Sequence, residues 1–178
     1  LILTIDRAIQ YVVEEELRAT VSRANAKGGT IMVLDPKTGA LLASANYPTY
    51  NPATYTDFSD KAWVDPAVTH HYEPGSVFKV ITMAAGLDAG VIVPSTTYLD
   101  QGCTSIGERT ICNLNKASYG IVDMYDVLIH SLNVGTTYVN TLLGEEFYDY
   151  VDAFGFGRQT EIDLANEAAG SVRKPGMQ

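Results

Sequence analysis

One stretch of this sequence is apolar on nearly every side of a helix, which strongly limits where it can lie in a fold. It runs from Ser76 to Ala89, and its apolar residues are Val77, Phe78, Val80, Ile81, Met83, Ala84, Ala85 and Leu87. Gly90 follows it, and glycine readily adopts the left-handed conformation that ends a helix. A helix that is apolar all round is buried. The sequence therefore predicts a central, buried helix that begins at Ser76.

Other segments show an amphipathic helix and two strands. Asp6 is a candidate N-cap. A four-residue spacing predicts that the helix after it lies with one face across a sheet, and this face is formed by Ile9, Val13, Leu17 and Val21. The apolar runs Thr30–Leu34 and Ala40–Ala43 flank Asp35–Gly39, whose proline and glycine favour a turn. We expect a β-hairpin of a buried sheet here.

The remaining segments are a long loop and three short helices. The residues from Ala45 to Pro74 are rich in Tyr, Asn, Pro and Asp and have no sustained periodicity, so they are predicted to form an irregular surface excursion. Helical patterns return later in the chain, at Met124–Ser131, Gly135–Leu143 and Glu145–Phe154.

The charge and hydropathy of the chain argue against a nucleic-acid partner and against a membrane-spanning helix within these residues. Its formal net charge is −9 and its 12 Lys and Arg residues form no cluster, whereas binding to nucleic acid requires a dense basic surface. We therefore expect no nucleic-acid partner. No apolar run approaches the ~20 residues of a membrane-spanning helix, and the first residues lack a signal-peptide pattern. We expect any membrane anchor or export signal outside these residues.

Two cysteines, Cys103 and Cys112, flank a plausible tight turn at Ile106-Gly107-Glu108. A hairpin would bring them face to face. In an oxidising compartment they would form a disulfide, and in a reducing one they would be small apolar side chains. The sequence leaves both alternatives open.

The spacing Ser-x-x-Lys occurs twice, at Ser76–Lys79 and at Ser171–Lys174. On a helix it places the hydroxyl and the amine on one face, where the amine could take the hydroxyl proton. Ser76 begins the apolar helix, so its N–H group and the helix dipole would face a developing oxyanion. Lys79 is expected in apolar surroundings that lower its pKa. Ser171 lies in a polar tail and is predicted to be in a solvated loop.

The first of these matches resembles a motif of a known family. Residues 73–79, Glu73-Pro74-Gly75-Ser76-Val77-Phe78-Lys79, resemble the first motif of penicillin-binding proteins and serine β-lactamases, in which the serine is acylated by a D-Ala-D-Ala peptide or a β-lactam. Further stretches are similar to class B penicillin-binding proteins and follow in family order, namely Leu3–Asp6, Leu34–Ala43, Phe154–Gly157, Ile162–Leu164 and Glu167–Gly170.

The second family motif is Ser-x-Asn, which occurs at Ser131-Leu132-Asn133 and at Ser44-Ala45-Asn46. Order and setting favour the first, since Ser131 follows Ser76 and lies between two helical patterns, whereas Ser44 is expected to end a strand. By the resemblance, Ser131 relays a proton between Lys79 and the leaving group, and Asn133 holds the lysine and the substrate amide. Without the resemblance, Asn133 would be interpreted as a helix cap.

The third family motif, Lys-Thr-Gly or Lys-Ser-Gly on an edge strand, binds the substrate carboxylate and supplies the second N–H group of the oxyanion hole. Lys37-Thr38-Gly39 matches it, but precedes Ser76 and lies in the predicted hairpin turn, so we interpret it as a chance match. By the resemblance, the strand that carries this motif would follow Gln178, and it either belongs to a separate chain or was lost. A missing oxyanion donor costs roughly 3–4 kcal/mol, so these residues alone are expected to be weakly active or inactive. A sheet without this strand also has an unpaired edge, so we expect the residues to be stable only with the carboxy-terminal segment or with a second copy that supplies a strand.

The three histidines are not interpreted as a general base or as metal ligands. His70 and His71 precede Ser76, but adjacent residues of an extended loop point in opposite directions and no cluster with metal-ligand spacing accompanies them. We expect them on the surface or lining the substrate cleft, as Tyr72 could. His130 is expected at a helix end or in packing.

On this resemblance the chain is identified as the amino-terminal portion, residues 1–178, of the transpeptidase domain of a class B penicillin-binding protein. It implies an α/β fold of the serine β-lactamase type, with a sheet flanked by helices and truncated before the third-motif strand. It implies a D,D-transpeptidase in which Ser76, Lys79, Ser131 and Asn133 are catalytic. No metal or organic cofactor is implied.

The same resemblance implies the partners and the location. The partners are peptidoglycan stem peptides ending in D-Ala-D-Ala, β-lactams, the missing carboxy-terminal segment and other wall-synthesis proteins. The location is extracytoplasmic and membrane-anchored. Two alternatives stay open, a D,D-carboxypeptidase or β-lactamase that uses water as acceptor, and a non-catalytic β-lactam sensor or scaffold subunit.

Overall fold

The computed structural model describes residues 2–174, apart from the side chains of residues 60 and 61. Two compact units are present. The first comprises the chain up to His71 together with Glu161–Ala168, and the second comprises Tyr72–Thr160 together with the residues from Ala169 onward. Both units combine helices with short antiparallel strands, as the predicted α/β class requires.

The first unit is a hairpin packed against one long helix. Its elements are α1 (Arg7–Ala24), β1 (Gly29–Leu34), β2 (Leu41–Tyr47) and α2 (Pro66–Thr69). The predicted N-cap of α1 is confirmed, because Asp6 Oδ1 accepts from the backbone N–H groups of Ala8 and Ile9. The buried side chains of α1 pack against the sheet, as the four-residue spacing predicts; the cluster contains Val13, Leu17, Val21, Ala43 and Ala45.

The turn of this hairpin is built by Asp35. Its carboxylate accepts from the backbone N–H of Lys37 and from the hydroxyl of Thr38, and Gly39 has a φ of 73°, which suits glycine. The interpretation of Lys37-Thr38-Gly39 as a turn is confirmed.

The second strand is longer than the sequence indicates. It extends to Tyr47 and pairs antiparallel with β1, with Gly29 opposite Tyr47, so the expectation that Ser44 ends a strand is wrong. The reason is that Ala43 and Ala45 are both buried on the face covered by α1, which continues the pairing. The segment Ala45–Pro74 is also more ordered than expected, with 3₁₀ helices at Pro52–Asp57 and Asp60–Trp63 in addition to α2.

Up to residue 174, the second unit contains four α-helices and four short strands. They are α3 (Lys79–Asp88), β3 (Tyr98–Asp100), β4 (Cys103–Ile106), β5 (Arg109–Cys112), β6 (Gly120–Val122), α4 (Met124–Ile129), α5 (Asn133–Leu143) and α6 (Glu146–Ala153). The last three helices confirm the helical patterns, with bounds that differ by at most about two residues. Across residues 2–174 the strands form three two-stranded sheets, β1 with β2, β3 with β6, and β4 with β5.

The core of the second unit lies between α3, α4 and α5. Its buried side chains include Met83, Ala85, Val127, Leu132, Val134 and Val139. Helices α3 and α5 approach closely at Gly86, where an added Cβ would lie 2.6 Å from Cγ1 of Val139. This close contact brings together the two helices that begin at Lys79 and Asn133.

The expectation of a single helix from Ser76, buried on all sides, is wrong in two respects. Gly75 has a φ of 62°, and the chain first forms a 3₁₀ turn over Gly75–Phe78, in which the Lys79 N–H donates to the Ser76 carbonyl; α3 then begins at Lys79. Within the described residues only one side of this segment is covered, because Val77 is 71% exposed and Val80 is 60% exposed. Gly90, with a φ of 69°, lies just after the helix as expected.

The cysteines occupy directly opposed positions of the β4–β5 hairpin, whose turn contains Gly107 and Glu108. Cys103 and Cys112 form a disulfide. Of the two alternatives that the sequence left open, the structure has the oxidised one. In residues 2–174 no helix is long and apolar enough to cross a membrane.

Candidate active site

Ser76 lies in the 3₁₀ turn that leads into α3, and it is exposed. Its Oγ accepts a hydrogen bond of 3.0 Å from Oγ of Ser131. The hydroxyl is therefore open to solvent on one side and tied to the protein on the other, as an attacking group needs to be.

Lys79, one turn further along, is 9% exposed. Its Nζ donates to three oxygens of one short segment, the Ser131 carbonyl at 2.5 Å, Oγ of Ser131 at 3.0 Å and Oδ1 of Asn133 at 2.7 Å. The expectation of apolar surroundings is wrong for the amine itself, because three acceptors match the three N–H donors of an ammonium. Burial nevertheless lowers the pKa of Lys79 from its ordinary value, since desolvation penalises the charged form.

Ser131 lies in the turn between α4 and α5, as predicted, and its backbone is left-handed with a φ of 52°. Such a conformation is strained for a residue with a Cβ, and strained residues concentrate at functional sites. The turn is closed by the Leu132 N–H, which donates to the Val127 carbonyl. It presents both the carbonyl and the hydroxyl of Ser131 to the same lysine.

Asn133 is the first residue of α5, and its side chain does not cap the helix. Its Oδ1 accepts from Lys79, while its Nδ2 donates to the Cys112 carbonyl at 2.8 Å. The two ends of the carboxamide therefore have partners of opposite kind, which fixes its orientation.

Four residues that the sequence singled out are thus joined in one hydrogen-bonded chain. In residues 2–174, no direct hydrogen bond joins Ser76 Oγ to Lys79 Nζ; the connection passes through Oγ of Ser131. A proton can move along such a chain between the serine and the lysine, because each hydroxyl both donates and accepts.

The competing motif matches lie elsewhere. Ser44 is inside β2, with its hydroxyl 3.3 Å from a carboxylate oxygen of Asp65. Ser171–Lys174 is in neither helix nor strand, as predicted for a solvated loop.

The histidines lie outside this chain of hydrogen bonds. His70 and His71 are exposed. His130 is the C-cap of α4 and stacks on the ring of Tyr119, as expected for a helix-end residue. In residues 2–174 no group of three or more His, Cys, Asp or Glu side chains could hold a metal ion.

Sequence reasoning missed two buried polar residues beside this chain of hydrogen bonds. Asp100 ends β3 and Asn113 follows β5, and Asn113 donates to both carboxylate oxygens of Asp100. No motif or periodicity marks them. Only the fold of the β4–β5 hairpin brings them together.

Comparison with known proteins identifies the family. The protein-family model described as the penicillin binding protein transpeptidase domain matches residues 29–176 of this chain. The chain belongs to this transpeptidase family. The fold class inferred from the resemblance is confirmed by solved transpeptidase structures. One is penicillin-binding protein 3 from Mycobacterium tuberculosis, complexed with aztreonam, with a TM-score of 0.89 and 31% identity over 97% of this chain and 39% of that one. Another is the transpeptidase domain of penicillin-binding protein 3 from Burkholderia pseudomallei, with a TM-score of 0.83 and 27% identity over 97% of this chain and 47% of that one.

Curated members of the transpeptidase family are similar along most of the chain. A peptidoglycan D,D-transpeptidase FtsI homolog of Mesostigma viride is 35% identical over 90% of this chain and 28% of that protein. Stage V sporulation protein D of Bacillus subtilis is 32% identical over 94% of this chain and 26% of that protein. The chain therefore spans less than a third of the length of these two relatives.

Proposed function

We propose that this chain is part of a peptidoglycan D,D-transpeptidase and that Ser76 is its nucleophile. The single observation that carries the proposal is the hydrogen-bonded chain from Ser76 through Ser131 to Lys79 and Asn133. Membership of the transpeptidase family and relatives that bear this activity in their names support the substrate class.

In the first step, Oγ of Ser76 attacks the carbonyl carbon of the penultimate D-Ala of a stem peptide. An ester bond forms between serine and peptide, and the C–N bond to the terminal D-Ala breaks. The proton leaving Ser76 is taken up by Lys79 through Ser131, and the departing amine of D-Ala receives a proton by the same route. Protons therefore balance within the four residues.

The direction of donation in the structure corresponds to the charged form of Lys79. Nζ donates to Ser131 and Ser131 donates to Ser76, which delivers a proton towards the serine. Rotating the two hydroxyl hydrogens and removing one proton from Lys79 reverses this direction. Because burial lowers the pKa of Lys79, the neutral amine that the first step requires becomes accessible.

In the second step, an amine of a neighbouring stem peptide attacks the ester carbonyl, a new amide bond forms, and Ser76 leaves as the alcohol. The incoming amine loses a proton and Ser76 regains one, which the same chain of hydrogen bonds can transfer. A β-lactam would acylate Ser76 in the first step, and a solved relative is described as complexed with aztreonam.

We place this activity outside the cytoplasm, where the substrate is assembled into the wall. The Cys103–Cys112 disulfide supports this location, because disulfides persist in oxidising compartments. Anchoring to the membrane and association with other wall-synthesis proteins belong to the same proposal.

Labelling with a fluorescent penicillin tests the proposal. The protein, expressed as its complete gene product, should acquire one label per molecule, and mass spectrometry should place it on the peptide containing Ser76. Ser76→Ala should abolish labelling while the protein stays folded. A label that maps to Ser171, or that survives Ser76→Ala, would overturn the assignment.

A further inference from the structure

A buried polar cluster beside the site contains a carboxylate that none of the steps above uses. Asp100 is fully buried, and Asn113 is 5% exposed. Nδ2 of Asn113 lies 2.9 Å from both Oδ1 and Oδ2 of Asp100, and the backbone N–H of Tyr119 donates to Oδ2 at 2.9 Å. A buried carboxylate is costly unless donors satisfy it, so amide groups hold Asp100 in place.

The carboxamide of Asn113 has only one orientation that satisfies its neighbours. Its nitrogen faces the carboxylate of Asp100 and the Ala117 carbonyl, which lies 3.0 Å away. Its oxygen accepts from the backbone N–H of Val134 at 3.0 Å. A flipped carboxamide would set oxygen against carboxylate and N–H against N–H. Asp100 therefore fixes which way the oxygen of Asn113 points.

That oxygen caps α5 from another part of the chain. The first N–H groups of a helix have no partner within the helix, and the N-cap residue, Leu132, offers no side-chain acceptor. Val134 is the second residue of α5, and Asn113 supplies the acceptor that Leu132 lacks. The start of α5 is thus tied to the end of β5.

A second tie lies beside the first and reaches the lysine. Cys112, the neighbour of Asn113, accepts from Nδ2 of Asn133, and the other end of that carboxamide accepts from Nζ of Lys79. Two consecutive residues of the hairpin therefore hold two consecutive residues of α5. A shift of this helix start would move Oδ1 of Asn133 away from the amine.

We propose, on the basis of the function proposed above, that Asn113 and Asp100 are positioning residues for the acylation of Ser76. They hold the start of α5 so that Asn133 and Ser131 meet Lys79, and they touch neither the substrate nor the reacting atoms.

Asn113→Ala tests this in the complete gene product, with Ser118→Ala as the matched control. The hydroxyl of Ser118 donates to the Asp100 carbonyl at 2.7 Å, so the control removes a hydrogen bond of the same cluster without touching the path to α5. The measurement is the second-order rate of acylation by a fluorescent penicillin, as a function of pH, per folded molecule.

Asn113→Ala should lower this rate by about 10–100-fold, the worth of one buried hydrogen bond expressed as a rate. In the wild type the rate should rise with pH as Lys79 loses its proton. In Asn113→Ala this rise should occur at higher pH, because water that enters beside Asn133 relieves the desolvation that lowers the pKa of Lys79. Ser118→Ala should keep both the rate and the pH profile of the wild type. Asp100→Asn should have the same effect as Asn113→Ala but a weaker one. It replaces Asn113→Ala in the measurement if that variant does not fold.

The outcomes separate this proposal from the function itself. An unlabelled wild-type protein overturns the function, and this proposal with it. A labelled wild type together with a folded Asn113→Ala protein of unchanged rate and pH profile overturns the positioning role alone. Equal losses of acylation rate in Asn113→Ala and Ser118→Ala would show that the cluster contributes only to general stability, and would overturn the positioning role. Failure of both Asn113→Ala and Asp100→Asn to fold would overturn it in the same way.

Discussion

Nζ of Lys79 lies 2.7 Å from Oδ1 of Asn133, which is 54 residues further along the chain. The contact joins the start of α3 to the start of α5. Since Nζ also donates to the carbonyl and the hydroxyl of Ser131, all three of its donors are engaged. The amine is therefore held in one place, and each acceptor is a point at which the site can be tested.

Ser131→Ala removes the hydroxyl that connects Ser76 to Lys79. The acylation rate by a labelled penicillin should fall by at least ~100-fold, the usual worth of a positioned acid or base. Lys79→Ala should cause a loss of at least the same size. Both rates are measured by stopped labelling reactions on proteins whose folding is checked by circular dichroism.

Ser171→Ala is the matched control, since it alters the serine of the other Ser-x-x-Lys match, which lies in a loop. It should label like the wild type. An unchanged rate in a folded Ser131→Ala protein would remove that hydroxyl from the mechanism.

The lowered pKa of Lys79 predicts how acylation depends on pH. Only the neutral amine accepts a proton, so the rate should rise with pH through a pKa below the ordinary lysine value of 10.5. The measurement is a pH profile of the second-order labelling rate. A profile that stays flat up to the ordinary lysine pKa would contradict the assignment of Lys79 as base.

The same shift predicts a dependence of stability on pH. Between the lowered pKa of the folded state and 10.5, the value for the unfolded chain, the unfolded state holds more protons at Lys79, so the free energy of unfolding rises with pH in this window. Below the folded pKa, the cost of burying the charge is fully present. Urea titrations should show this slope in the wild type and lose it in Lys79→Met.

Elements whose signals are local could be predicted from the sequence. The N-cap Asp6, the turn at Asp35–Gly39 and the helical patterns after Met124 each depend on residues a few positions apart. The Ser76–Lys79 pair is also local, because its spacing is one helical turn. Identifying the family motifs then brought Ser131 and Asn133 into the candidate site.

Features set by tertiary contacts could not be predicted. Asn113 reaches Val134, and Asn133 reaches Cys112, across 21 residues in each case, and no pattern in the sequence marks such partners. The 3₁₀ turn before α3 depends on the positive φ of Gly75, and glycine by itself does not reveal which conformation it adopts.

Removing the disulfide should destabilise the second unit, although the backbone groups that form its hydrogen bonds remain. Cys103 and Cys112 are nine residues apart, and a loop of this size contributes about 2–3 kcal/mol by the chain-entropy relation. The double variant Cys103→Ser, Cys112→Ser should show this loss in urea unfolding compared with the wild type. Wild-type protein treated with a reductant should lose the same amount, and no change in either experiment would contradict the disulfide.

Gly86→Ala tests whether the contact between α3 and α5 sets the geometry of the site. A Cβ at Gly86 would lie 2.6 Å from Cγ1 of the fully buried Val139, so the helices must separate, at a cost of about 1–3 kcal/mol for overpacking. Separation also draws Lys79 away from Asn133, because each residue begins one of the two helices. Acylation per folded molecule should therefore fall together with the free energy of unfolding.

The control for this variant is Gly90→Ala, just beyond the end of α3. Its positive φ of 69° makes alanine strained there, but an added Cβ meets no atom within 4 Å. Gly90→Ala should thus lose about 1–2 kcal/mol of stability and acylate at the wild-type rate per folded molecule, because the two helices stay in contact. If both variants lose stability and neither loses rate, the spacing of α3 and α5 at Gly86 does not govern the contact between Lys79 and Asn133.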